Sequence, residues 1–242
     1  MSLKFPAPLQ EATLIKRYKR FLADVELADG RVVTAHVANS GSMMGLNEPG
    51  LTVWLSRSDN PARKLPYSWE LVAVGDALIG VNTAHPNAIV AAAIKDGRVP
   101  ELAGYSELRR EVKYGANSRI DILLQEPERS DCYVEVKNVT LAREPGYGEF
   151  PDAVTARGTK HLHELANVAA RGARAVMFYL IQRTDCHSFR LADDIDPAYA
   201  EAFDRAKAAG VEILCYDCHI SAEEIRLGSP VPIIPRFPCD PL

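Results

Sequence analysis

The chain has 242 residues, of which 47% are hydrophobic and 25% charged, with a formal net charge of −4. This is the composition of an ordinary soluble globular protein, long enough for one large domain or two small ones, and it excludes a globally basic nucleic-acid binder. Residues 1–80 hold nine Lys/Arg and eight Asp/Glu and the remainder 19 and 24, so any grip on a polyanion must come from a local basic patch or a metal ion.

Met1–Pro6 lacks the apolar core of a secretory peptide. The longest apolar run, Ala88–Ile94, is far too short to span a bilayer. Five cysteines without a disulfide-framework spacing read as reduced thiols. The expected location is the cytoplasm, with no membrane partner.

The first 80 residues read as short strands: Ala12–Lys16, Phe21–Leu27, Arg31–Val37 after an Asp29-Gly30 hairpin turn, Leu51–Ser56 and Trp69–Val74. Five short strands in so few residues suggest a small barrel, with the five-stranded OB-fold as the candidate. Lys16-Arg17-Tyr18-Lys19-Arg20-Phe21 interleaves cations with aromatics. Such a cluster can contact phosphates and stack on a base; a solvated basic turn with Phe21 in the core fits equally. The polar connector Val81–Asn87 places a domain boundary near residue 82, and Pro86 opens a helix running through Ala91–Lys95 to Gly97. A short helical stretch is expected around Tyr105–Arg110.

Next come two apolar, β-branched stretches separated by turn-formers. Ser118–Leu124 contains Asp121, and Cys132–Lys137 contains Glu135 and Lys137. The pattern reads as a β-hairpin. Residues i and i+2 share a strand face, so Glu135 and Lys137 point the same way and Asp121 can lie beside them. The alternative is a plain cross-strand ion pair. Three charges within such apolar strands are costly unless paired or metal-bound. Magnesium takes one or two carboxylates and keeps several waters, which suits Asp121 and Glu135. Lys137 could then orient a water or offset charge on phosphorus. Glu111 is either a further ligand or a surface acid at a helix end.

Pro151-Asp152 predicts a long helix to Arg171, closed by Gly172. Arg157, Lys160/His161 and Glu164 can share one of its faces, as can residues of any solvated helix. Gly158 in its first turns lowers helix propensity and suggests close approach of a phosphate backbone. Arg174–Gln182 reads as a buried central strand, Asp196-Pro197 starts a helix to Ala209, and Val211–Tyr216 is a further strand. Alternating strands and helices imply an α/β sheet with parallel pairs. Pro230–Leu242 reads as an extended tail. Cys215-Tyr216-Asp217-Cys218-His219 has the spacing of covalent haem attachment, which the missing export signal argues against. A zinc site joining Cys186, His187, Cys215 and Cys218 is the alternative to buried free thiols, and the thiols are the default.

Taken together, these motifs resemble those of the sugar fermentation stimulation protein family, SfsA, over nearly the whole chain. The resemblance rests on Asn82-Thr83 with Pro86-Asn87, Glu111–Gly115, Ser118–Asp121, Tyr133–Lys137 with Thr140-Leu141, Phe150–Thr155, and Arg157-Gly158-x-Lys160-His161-Leu162 with Glu164-Leu165. Arg17-x-x-Arg20-Phe21 and His36-x-x-Asn39-x-Gly41-x-Met43 add to it. The resemblance implies an OB-like nucleic-acid-binding domain over residues 1–82 and an α/β domain similar to the PD-(D/E)xK nucleases over 83–242. It further implies DNA binding without strong sequence preference, and a link to regulation of sugar (maltose) metabolism. Asp121, Glu135 and Lys137 take the nuclease motif's catalytic positions, and Asp121, Glu135 and Glu111 its metal positions, for Mg²⁺ or Mn²⁺. Ile120 stands where that motif has proline. The expected DNA contacts are Arg17, Lys19, Arg20, Arg119, Thr155, Arg157, Lys160 and His161. Two readings stay open: a Mg²⁺-dependent deoxyribonuclease, and a non-catalytic DNA-binding regulator that keeps the nuclease fold. A homodimer is left open as well.

Overall fold

The computed structural model describes residues 2–114 and 118–235. Two expectations fall outside this range: Gly115 of the Glu111–Gly115 motif, and the tail beyond Pro235. In chain order the first strands are β1 (Leu3–Lys4), β2 (Gln10–Tyr18), β3 (Leu22–Leu27), β4 (Val32–His36), β5 (Thr52–Arg57), β6 (Tyr67–Val74) and β7 (Ala77–Gly80). Alternation along β2, β3 and β5 turns Ala12, Leu14, Val25, Leu27, Val53 and Leu55 to one side, where they surround the buried Trp69. Antiparallel pairing runs β4-β3-β2-β5-β6, and a parallel β4–β6 contact closes the ring. Closure removes the free edges that short polar-faced strands would otherwise present. The five-stranded barrel expected from the sequence is therefore present.

The second unit contains α1 (Pro86–Lys95), β8 (Glu107–Tyr114), β9 (Ser118–Glu126), β10 (Arg129–Val139), β11 (Gly146–Phe150), α2 (Ala156–Ala170), β12 (Arg174–Ile181), β13 (Cys186–Leu191), α3 (Pro197–Ala208), β14 (Glu212–Ile220) and β15 (Glu224–Pro230). Seven strands form a mixed sheet in the order β1-β15-β14-β12-β10-β9-β8, with β10, β12 and β14 parallel. β12 is buried along almost its whole length, as its unbroken apolar run requires. Helices α2 and α3 cover one face through Leu162, Leu165, Tyr199 and Phe203 against Met177, Tyr179 and Ile181. Helix α1 covers the other, through Ile89, Val90 and Ala93 against Val134, Phe178 and Leu180. The expected α/β architecture is present.

The two units share packing. Residues 67–72 of β6 are buried on both strand faces. Trp69 and Val72 belong to the barrel core, whereas Leu71 packs with α1. Backbone bonds from Gly80 N to Gln182 O and from Thr184 N to Leu78 O add a seam. The N-terminal β1 crosses over to pair with β15, Leu3 opposite Ile225.

Three expectations need correction, and two strands come without one. Residues around Tyr105–Arg110 are not helical; Glu107–Tyr114 is an edge strand of the seven-stranded sheet. Its charged, mostly exposed side chains protect that edge, and pairing with β9 overrides the helix-compatible local composition. The long helix starts at Ala156 rather than beside Pro151. Thr155 caps it by accepting from Gly158 N at 3.1 Å, while Thr155 N donates to Asp196 Oδ2 at 2.7 Å. Gly158 is explained by packing, because a Cβ there would lie 2.9 Å from the Thr155 side chain and 3.0 Å from Tyr199 Cε2. Strands β11 and β13, which the sequence pattern does not signal, form a separate two-stranded parallel sheet. The tail follows its expected extended course through Ile234, whose N–H bonds Phe189 O.

Candidate active site at the domain junction

β9 and β10 place the acids by register. Val134 pairs with Ile122, so the next position along sets Glu135 beside Asp121. Asp121 Oδ2 accepts from Val136 N at 2.8 Å, which clips its carboxylate to the neighbouring strand. Asp121 Oδ1 accepts from Asn87 Nδ2 at 2.7 Å, at the N-terminal end of α1, where the helix dipole favours negative charge. Burial, and then the nearby charge of Glu135, push the Asp121 carboxyl up to about 6, against the opposing bond from Val136.

Glu135 is 2% exposed. Its Oε1 accepts from Lys137 Nζ at 2.7 Å and also meets His161 Nδ1. His161 Nδ1 lies 3.1 Å from Lys137 Nζ as well. A single Nδ1 proton serves one acceptor, and the carboxylate is that acceptor; the ammonium donates to Glu135 independently. Burial pushes the Glu135 carboxyl up, but the His161 bond and the Lys137 charge outweigh it, and the carboxyl is held below its ordinary range. Arg157 Nε lies 3.4 Å from His161 Nε2 and carries the cluster toward solvent. A cavity of about 220 Å³ is lined by Asn87, Asp121, Glu135, Lys137, Arg157 and His161. Thr83, Lys137 and Asn138 also line a second cavity of about 310 Å³, whose far wall is the barrel loop Asn39–Gly41 and Asp152.

That loop is fastened by Arg17. Its guanidinium donates to Asn39 O, Gly41 O, Ser42 O and Arg20 O at 2.9–3.2 Å. Ser42 Oγ in turn donates to Asp152 O at 2.9 Å. Gly41 is required because a Cβ would run into the Asp152 carboxylate. Arg17, expected on DNA, is thus bound to the barrel's own backbone. Lys19 and Arg20 are exposed at the β2–β3 turn, and Phe21 beside them is 44% exposed rather than in the core. Arg119 and Lys160 are exposed, the latter 3.6 Å from Glu164. Thr155 serves as a helix cap, and His161 is buried against Glu135. Glu111 is exposed and, among the described residues, is linked to the acids through Asn87, which donates to it at 3.3 Å. Its φ of +55° is a left-handed conformation seldom adopted outside glycine. Asn87 belongs to the Pro86-Asn87 motif on which the family resemblance rests, but its sequence context assigns it no site role; the structure places it against Asp121 at the head of α1. Among the described residues the cysteines form no metal site: Cys215 lies in the core under α2 and α3, Cys218 in the core under α1, and His187 is exposed.

The fold and site together define a two-part protein: an OB barrel set against an α/β domain, with two carboxylates and a lysine converging at the junction. Family models agree over both parts. The SfsA N-terminal OB domain matches residues 15–81, and the sugar fermentation stimulation protein RE domain matches residues 84–224. The chain belongs to the sugar fermentation stimulation protein family. A sugar fermentation stimulation protein homolog of Paramagnetospirillum magneticum is 60% identical over 229 residues, covering 95% of this chain and 97% of the relative. A homolog from Rhodospirillum centenum is 60% identical over 225 residues, covering 93% and 97%. Among solved structures, Pyrococcus furiosus SfsA in complex with Ca²⁺ superposes with a TM-score of 0.87 at 26% identity, covering 97% of this chain and 99% of that one. No helix among the described residues is long and apolar enough to cross a membrane.

Proposed function

We propose that this protein is a divalent-metal-dependent nuclease of the PD-(D/E)xK type that binds DNA without strong sequence preference. In this reading residues 1–82 act as the nucleic-acid-binding domain and 83–242 carry the chemistry. The observation that carries it is the convergence of Asp121, Glu135 and Lys137 in one cavity at the domain junction. The residues fit a metal: the strand register sets Asp121 beside Glu135, and Glu135 Oε2 is buried with no hydrogen-bond partner among the described residues, an arrangement that a cation relieves. Asp121 and Glu135 are the hard-oxygen pair for Mg²⁺ or Mn²⁺, and the Ca²⁺ in the Pyrococcus furiosus relative supports a site of this chemistry. A divalent cation held by Asp121 and Glu135 would lower the pKa of a bound water and offset charge on phosphate oxygens. Asn87 and the Val136 amide fix the Asp121 carboxylate. Lys137, held by Glu135 beside His161, presents its ammonium where charge develops on phosphorus. Arg157, exposed at the cavity's edge, is placed for a neighbouring phosphate, and the second cavity, walled by the barrel loop, continues the strand's path. Lys19, Arg20 and Phe21 offer cation and ring contacts farther out.

The test is a purified chain with end-labelled single- and double-stranded DNA in Mg²⁺ or Mn²⁺. Cleavage by the wild type that vanishes in Asp121→Ala, with DNA affinity retained, is the expected result. No cleavage of any DNA form with either metal would leave the second reading, a DNA-binding regulator of sugar metabolism. The pairing of Lys137 with Glu135, and its contact with His161, favours that reading.

A further inference from the structure

Asn138, on β10 beside Lys137, stands where the two cavities meet and lines both. Its side chain is held from behind. Gln182, which follows β12 and is 0% exposed, donates from Nε2 to Asn138 Oδ1 at 2.7 Å. Gln182 is itself fixed by its backbone: its N–H donates to Val139 O and its carbonyl accepts from Gly80 N, each at 3.0 Å. Its Oε1 is buried without a hydrogen-bond partner among the described residues and lies against Gly80, where a Cβ would come within 2.8 Å of it. A carbonyl oxygen is at ease against a glycine Cα–H, whereas an NH₂ group turned there would leave its donors stranded. The orientation of the amide pair follows. Asn138 presents Oδ1 to Gln182 and keeps Nδ2, which has no partner among the described residues, for the cavities.

The second cavity, of about 310 Å³, suits a different part of a nucleotide from the first. Leu141 and Phe150 give it an apolar wall, and Thr83 and Asn138 a polar edge. Among the described residues that line it Lys137 is the one cation, and it is bonded to Glu135, while Glu149 and Asp152 bring two carboxylates. A phosphate is poorly matched to that lining. An uncharged ring with polar edges matches it. An asparagine NH₂ donates to ring nitrogens or carbonyl oxygens, and every nucleobase carries such acceptors, so the contact adds affinity without selecting sequence. We infer that the second cavity takes an unpaired nucleobase, received by the Asn138 amide. The inference rests on the DNA-binding reading and deepens it. A base enters a cavity only once it has left the duplex stack, so the favoured substrate is a single strand or an unpaired end. Asn138 is the residue that binds, and Gln182 positions it.

Fluorescence anisotropy of the full chain with labelled oligothymidylate, and with a fully abasic strand of equal length, separates base from backbone. Binding is read in chelator and again with Ca²⁺, so that the result does not depend on cleavage. The wild type is expected to prefer the base-bearing strand. Asn138→Ala should lose roughly 2–10-fold of that preference, the worth of one hydrogen bond, with affinity for the abasic strand unchanged. Gln182→Met, which keeps the length but not the amide, should lose the same preference; a merely structural defect would lower both affinities together. An Asn138→Ala chain that keeps the wild-type preference, or weakens equally on both strands, overturns the inference. A folded Gln182→Met chain with full preference removes the positioning role, and should that chain fail to fold, Asn138→Ala decides alone. No binding of either strand by the wild type overturns the DNA-binding reading and this inference with it. Binding without base preference overturns this inference only.

Discussion

Glu70 and Glu135 are both buried glutamates, one on the barrel's β6 and one on the large sheet's β10, 4% and 2% exposed. Each carboxyl is pushed up by burial and brought below its ordinary range by hydrogen bonds that outweigh it. Their surroundings differ. Glu70 accepts from Ser56 Oγ at 2.6 Å on one oxygen, and from Asn82 Nδ2 and His85 Nε2 at 2.8 Å on the other. Each of these partners is on the barrel or the connector, and none lines the candidate site cavities. Glu70 thereby fastens the connector Asn82–His85 to the barrel and fixes where α1 begins. Glu135 has one oxygen crowded by Lys137 and His161 and the other without a partner among the described residues. A fully satisfied buried carboxylate is a joint, and a half-satisfied one beside a cavity is a place for chemistry.

Substitutions at the two glutamates should therefore separate stability from activity. The largest expected effect is on cleavage. Glu135→Gln should lower the Mg²⁺-dependent rate by roughly 10²–10³-fold or more while leaving the denaturant midpoint close to that of the wild type; a large loss of stability would make Glu135 a second joint. Next, Glu70→Ala should cost about 3–5 kcal/mol, because it strands His85, Asn82 and Ser56. Urea unfolding measures this, and a near-neutral result would remove the contrast between the two sites.

The pH dependence has opposite signs at the two places. Asp121, pushed up to about 6, binds its proton more tightly in the folded state than an unfolded aspartate near about 3.9 does. With a chelator present, its contribution to stability falls as pH rises from about 4 to about 6. Asp121→Asn should abolish that fall, and added Mn²⁺ should reverse it in the wild type. Glu70, held low, contributes stability above its unfolded value and loses it as pH falls through its folded one. Chelated unfolding curves of the wild type and the two variants from about pH 2 to about pH 7 would show whether the slopes oppose. The smallest effect is expected at the barrel's rim. Lys19→Ala with Arg20→Ala should weaken DNA binding modestly and lower the salt slope by about two, one for each phosphate left without its cation. An unchanged slope would remove that turn from the interface.

The Asp121, Glu135 and Lys137 trio is legible because strand periodicity and hairpin register are local. Two apolar runs and a turn suffice to set three side chains on neighbouring strands. The cluster's other members are legible only in part. Helix spacing lets Arg157 and His161 share a face and both are expected on DNA, but spacing does not say which side of α2 faces the sheet, and His161 turns inward to Glu135. The cationic neighbours of Arg17 suggest a phosphate contact, yet the carbonyls that hold it belong to a loop more than twenty residues away. The stretch around Tyr105–Arg110 departs from its helical expectation because an edge strand, here Glu107–Tyr114, takes its conformation from the partner it pairs with more than from its own residues.

From the sequence alone came the barrel, the α/β alternation, the family and the acid–lysine trio, since each depends on periodicities and motifs written within short stretches. Tertiary structure decided that Glu70 is fully bonded, that Glu135 is half-bonded beside a cavity, and that Asn87 holds Asp121. Those are matters of which polar groups lose water together and which find a partner, and side chains far apart in the chain settle them only once the two cores have packed.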